Sequence, residues 1–241
     1  MPATPRRARR PALAACLAAA AVALAAAAAR PARAQATGIV DEGTFTISRA
    51  GRRAGRETFA IRRVIQVTQL VYEANATVDY EAERLTPALR TDTTFFPLAY
   101  QIEIRTADTL QLRLKGVIGR GRFTARVRTP AGESAKEYIV SDGAVVVDDR
   151  VFHQYYFLAQ RMTGAAITIP VVVPQQNAQV TMRVRAAGAD PVVIAGARAE
   201  ARKLVAQANG GPERDIWVDA QGRVLKVTIG DVTAVRDALP R

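Results

Sequence analysis

The side chains able to do chemistry are few and scattered. His153 is the sole histidine of the 241-residue chain and Cys16 its sole cysteine. One imidazole and one distant thiol cannot supply the three or four nitrogen and sulfur ligands of a zinc centre. A general base needs a positioned partner, which the sequence does not show, so His153 is expected as a helix-surface or capped core residue. Asp142, Asp148 and Asp149 offer oxygen ligands, but their spacing matches no calcium loop, and turn or cap roles suit them better. Gly116, Gly119 and Gly121 lie between two strand-like stretches with no helix following, so a β-turn is expected rather than a phosphate cradle. Ser48, Ser134 and Ser141 fall in turns or on polar strand faces, and none sits in a nucleophile elbow. No catalytic residue, metal or cofactor is therefore expected. The competing expectation is a hydrolase or transferase built on carboxylates such as Glu57, Asp79 and Glu103, which requires two of them in one cleft with ionisations pushed apart.

Two groups of residues point instead to binding. Between Asp148 and Pro174, Val151, Tyr155, Leu158 and Met162 recur at helical spacing, and Phe152, Tyr156 and Ala159 widen the stripe. The spacing predicts an amphipathic helix over Arg150 to Met162, with Asp148 or Asp149 at its N-terminus, Arg161 in its last turn and Gly164 as a left-handed stop. Phe152, Tyr155, Tyr156, Phe157 and Met162 are its candidate ligand-binding residues. The second group is cationic. Arg105, Arg113, Lys115, Arg122, Arg126 and Arg128 occupy the polar faces of three consecutive strand-like stretches, with Arg113, Arg122, Arg126 and Arg128 as candidates for binding an anionic membrane surface.

The elements that must position these groups are strands. Ile39, Phe45 and Ile47 alternate with polar residues over Gly38 to Arg49, and Phe59, Ile61, Ile65 and Val67 align in the next stretch after a turn over Ala50 to Gly55. Residues 69–81 repeat the pattern, as do Leu98 to Ile104, Leu110 to Leu114 and Phe123 to Val127. Ile167 to Val173 is apolar on both faces, and its prolines, Pro170 and Pro174, favour an edge or a bulge. Val192 to Ala208 fits a long strand better than a helix. Trp217 and Val224 flank the clearest hairpin, and Val232 to Val235 is a closing strand. The expected fold is mainly β: one curved antiparallel sheet, a half-barrel or incomplete barrel, with the single amphipathic helix packed on its concave face.

Residues 1–34 stand apart. Arg6, Arg7, Arg9 and Arg10 precede an apolar run from Leu13 to Ala29, and Ala32-Arg33-Ala34 has the small residues of a cleavage site. This is the three-part pattern of an export signal, with a mature single domain expected over 35–241. A lipobox around Cys16 is disfavoured because it opens the apolar run instead of closing it. Six of the 34 basic residues and none of the 22 acidic ones fall in this segment, so the formal charge of +12 drops to +6 without it. The expected location is periplasmic or extracellular, with outer-membrane association as a further option, and export argues against nucleic acid as a partner.

The strand Gly43 to Arg49, the Gly51 to Gly55 turn into Glu57-Thr58-Phe59, and Trp217-Val218-Asp219 followed by Gly222-Arg223-Val224-Leu225 resemble uncharacterised exported bacterial β-domains. More distantly the layout is similar to periplasmic lipoprotein carriers. That resemblance implies a curved sheet over an apolar hollow and lends no catalytic residues. The resulting expectation is a non-enzymatic envelope protein that binds an apolar or lipid-like ligand between sheet and helix, with a purely structural envelope protein as the alternative.

Overall fold

Period-two alternation is realised as one sheet of 16 strands. The structure, a computed structural model, describes residues Thr37–Arg241; the expected signal and Cys16 lie outside them. The strands are β1 (Gly38–Arg49), β2 (Arg52–Gln66), β3 (Gln69–Tyr80), β4 (Glu83–Leu85), β5 (Ala88–Thr91), β6 (Pro97–Thr106), β7 (Thr109–Gly119), β8 (Arg122–Thr129), β9 (Gly132–Ile139), β10 (Val145–Val146), β11 (Ala166–Val173) and β12 (Ala178–Ala189). They continue as β13 (Val192–Ile194), β14 (Ala197–Ala199), β15 (Arg202–Ala208), β16 (Glu213–Val218), β17 (Val224–Ile229) and β18 (Val232–Arg236). The order across the sheet is β10-β11-β12-β15-β16-β17-β18-β1-β2-β3-β4-β6-β7-β8-β9, with β5 between β3 and β6. Pairing is antiparallel except for β10 on β11.

That order forces the sheet to curl. β9 and β10 are consecutive in the chain yet stand at opposite edges. The link from Ile139 to Val145 reaches at most about 20 Å, whereas this sheet laid flat would be on the order of 70 Å wide. The edges are brought together, and Gln179 of β12 seals the approach: it accepts the Ser141 N–H and donates to the Ser141 hydroxyl, both at 2.8 Å. The curled sheet encloses one apolar core that joins Phe45, Ile61, Tyr100, Phe123, Met182 and Val227 from strands on every side. The β13–β14 hairpin forms a separate small patch with Trp217 and Leu225.

Several expectations change in detail. The first hairpin turns on Ala50 and Gly51 alone, both with positive φ, and β2 starts at Arg52. Gly116 is not in a turn but inside β7, where the Phe123 ring lies against it; the turn is Arg120-Gly121. Ile65 and Val67, aligned with core residues in the sequence, are exposed because the β2–β3 hairpin runs past the core. Val192 to Ala208 is strand, as expected, but folded as the β13–β14 hairpin followed by β15.

The largest correction concerns the helix. Within the expected span 150–162 only α1, Tyr155–Gln160, is α-helical, and it is buried rather than amphipathic. Neither Asp148 nor Asp149 caps it: the N-cap is Gln154, without a side-chain bond, and Arg161 ends it in a right-handed conformation. Residues 147–154 form an irregular strap instead, with turns at Asp149–Arg150, where Arg150 is left-handed at φ +62°, and at His153–Gln154. Strap and α1 together cross the interior of the curled sheet from β10 toward β11.

Candidate functional site

The strap is held by acceptors from remote parts of the chain, which is why it is not helical. Glu57, on the inward face of β2, is fully buried and accepts the backbone N–H groups of Phe152 at 2.7 Å and His153 at 3.0 Å. The imidazole Nδ1 of His153 donates to the same carboxylate. Donors that a helix would leave unpaired in its first turn are satisfied here from β2. His153 is therefore a buried, bonded residue of the strap and not a helix-surface one. Its ring stacks on Phe59 at 5.5 Å, Phe59 on Phe45 at 5.3 Å, and the Arg236 guanidinium lies over both phenylalanines. Arg236 is itself buried, bonded to Asp41 and donating to the carbonyls of Val224 and Glu42. Burial raises the Asp41 carboxyl above its ordinary range even though Arg236 pulls it down.

Asp148 ties the strap's other end. Its carboxyl accepts the Tyr100 hydroxyl at 2.7 Å and the N–H groups of Asp149 and Gln175 at 3.1 and 3.0 Å. Gln154 accepts the Asp148 N–H at 2.8 Å. Arg150 pairs with Glu83 and donates to Gln175 at 3.2 Å. Burial lifts the Asp148 carboxyl to about 6, the hydrogen bonds it accepts working against that rise.

Between the strap and the β12–β15–β16–β17 wall lies a pocket of about 740 Å³. Val151, Phe152, Tyr155, Val180, Met182, Ile229 and Val232 give it apolar walls, and its polar side carries Arg49, Arg150 and Arg214 together with Glu81, Asp148 and Asp149, Arg49 being paired with Glu81 at 2.8 Å. The volume falls in the range of small-molecule sites. Burial pushes the Tyr155 phenol up to about 12, with Arg214 pulling against the rise. Of the five aromatic and sulfur-bearing residues singled out in the sequence, Phe152 and Tyr155 line this pocket. Tyr156, Phe157 and Met162 pack instead into the core, where Tyr156 and Phe157 meet the ring of Phe95 edge-on or tilted.

The carboxylates Glu57, Asp79 and Glu103 do not converge. Glu57 points inward, while Asp79 and Glu103 lie on the outer face, paired with Arg84 and with Arg105 and Arg113. The arginine stripe is likewise divided by its partners. Arg113 meets Glu103, Arg122 meets Glu137, and Arg128 faces Glu133; Arg126 has no acidic partner among the described residues. Sequence parity carried a signal for Asp41 and Arg236, which the sequence reading missed, and for the inward placement of Glu57: each shares the register of inward apolar neighbours, such as Phe45, Ala234 and Phe59.

No family model matches the chain, and no curated protein is similar to it. A solved structure is similar: the beta-barrel-like protein of the domain of unknown function DUF1849 from Brucella abortus, at TM-score 0.52 and 9% identity, covering 83% of this chain and 96% of that one. At that identity the likeness is one of fold. Among the described residues the chain is a barrel-like, mainly β protein with a large curved antiparallel sheet and one short α-helix. The expected resemblance to uncharacterised bacterial β-domains holds at this level.

Proposed function

We propose that this is a non-enzymatic cell-envelope protein that binds an apolar or lipid-like ligand in the pocket beside the strap. The observation that carries the reading is the 740 Å³ hollow with apolar walls and a charged rim of both signs on one side, a layout that suits an amphiphile with a polar end. The export-like pattern of residues 1–34 supports the envelope location, and the distant similarity to lipoprotein carriers agrees with it. Against ligand binding, and for a purely structural role, stands the dense packing of Phe157 and Leu158, which leaves the rest of the interior filled.

Native mass spectrometry of the protein exported from a bacterial host tests this. A co-purifying lipid-sized adduct is expected in the wild type and is expected to be lost in Val180→Trp, which fills the pocket from β12. Absence of any adduct, together with no binding of a fluorescent fatty-acid probe, leaves the structural role.

A further inference from the structure

Seven basic residues lie on β5 to β8: Arg90, Arg105, Arg113, Lys115, Arg122, Arg126 and Arg128. Four of them have a carboxylate partner. The other three, Arg90, Lys115 and Arg126, all line a single hollow of about 600 Å³ on the outer face of the sheet. The register explains their meeting. Lys115 stands directly opposite Arg126 across the β7–β8 ladder, a like-charge pair that is unfavourable without a counter-ion. Arg90 lies on β5 between Ala99 of β6 and Glu73 of β3, its two cross-strand neighbours. The Arg90 Nε is buried with no hydrogen-bond partner, a donor left unmet beside the hollow.

The floor between the cations is small and apolar. Ala88 and Ala99 open the space, and Val117 is 58% exposed within it. Glu73 is the one acidic side chain on the lining; it stands opposite Arg90 across the β3–β5 ladder without closing an ion pair with it, which leaves Lys115 and Arg126 as the cations with no acid beside them on their ladder. Three cationic side chains on one hollow beside an exposed apolar strip match a multiply charged oxyanion that carries a short hydrocarbon group.

We infer that this outer hollow is a binding site for a phosphate monoester with an apolar substituent, held by Arg90, Lys115 and Arg126. The site lies on the opposite face of the sheet from the interior pocket and does not depend on the function proposed for that pocket.

Isothermal titration with hexyl phosphate, inorganic phosphate and hexanol tests the site, alongside co-sedimentation with phosphatidylglycerol vesicles. Saturable binding of hexyl phosphate is expected, at least tenfold tighter than inorganic phosphate, weakened by salt, and absent for hexanol. Each of Arg90→Gln, Lys115→Gln and Arg126→Gln is expected to weaken it about tenfold or more. Arg122→Gln, whose partner is Glu137, is expected to change nothing, as is Val180→Trp in the interior pocket. All of these side chains but Val180 face outward, and circular dichroism checks that each variant is folded. No saturable binding, equal binding of inorganic and hexyl phosphate, full binding by the three Gln variants, loss of binding in Val180→Trp, or binding to vesicles alone would overturn the inference.

Discussion

Asp148→Asn isolates the energetic cost of holding a carboxylate at the end of the strap. Asp148 is 3% exposed, and its carboxyl ionises near 6 in the folded chain against an ordinary value of 3.8. Between those values the folded chain keeps a proton that the unfolded chain has released. Stability from this group is therefore full below about pH 4, falls as pH rises, and is lower by about 3 kcal/mol above pH 7. Asparagine removes the titration but offers a single carbonyl oxygen to the Asp149 and Gln175 N–H groups and turns its amide toward the Tyr100 hydroxyl, at a cost of about 1 kcal/mol. The variant is thus expected to be about 1 kcal/mol less stable than wild type at pH 4 and about 2 kcal/mol more stable at pH 7.5. The second difference corresponds to a rise in melting temperature of roughly 4–8 °C. Asp41, also raised by burial, is present in both proteins and cancels in the difference. Urea unfolding of both proteins at half-unit steps from pH 4 to 7.5 measures the crossing. Parallel profiles, or a variant less stable at every pH, would refute the claim that burial penalises the ionised form.

Two further outcomes follow from the packing. Glu57→Ala strands three donors, the Phe152 and His153 N–H groups and the imidazole, and is expected to cost roughly 3–6 kcal/mol in urea unfolding, with Glu57→Gln intermediate; faster exchange of the Phe152 and His153 amides identifies the strap as the part released. Gly55→Ala places a Cβ on the Asp79 carbonyl oxygen of the neighbouring strand and is expected to lower stability by at least about 2 kcal/mol, whereas Gly119→Ala, with open space around it, is expected to change it by less than about 0.5 kcal/mol.

The sheet was legible because each strand carries its own evidence. Phe45 and Ile47, Tyr100 and Ile102, and Phe123 and Ala125 alternate with polar residues whatever their neighbours are, and all six are buried as the alternation requires. The strap was not legible, because its conformation is decided by partners 95 and 96 residues away. Its apolar spacing is compatible with a helix, and residues buried on all sides satisfy any period. What removes the helix is the pair of backbone donors claimed by Glu57, which leaves no local trace, together with the Gln154 and Asp148 side chains that accept the Asp148 and Asp149 N–H groups.

The same distinction separates the two kinds of arginine. Spacing alone places Arg113, Arg122, Arg126 and Arg128 on one face, but whether a cation is free depends on what lies across the ladder. The β6–β7–β8–β9 register lines up Glu103, Arg113, Arg128 and Glu133 in one row, acid at both ends, so that row balances its own charge. The adjacent row runs Ala88, Gln101, Lys115, Arg126 and Ala135, with no acid anywhere along it. Surface ion pairs of the first kind contribute little to stability, yet they decide where uncompensated charge remains. That charge collects over Ala88 and Ala99, where small side chains leave room for a ligand, and it does so through a register that no single strand encodes.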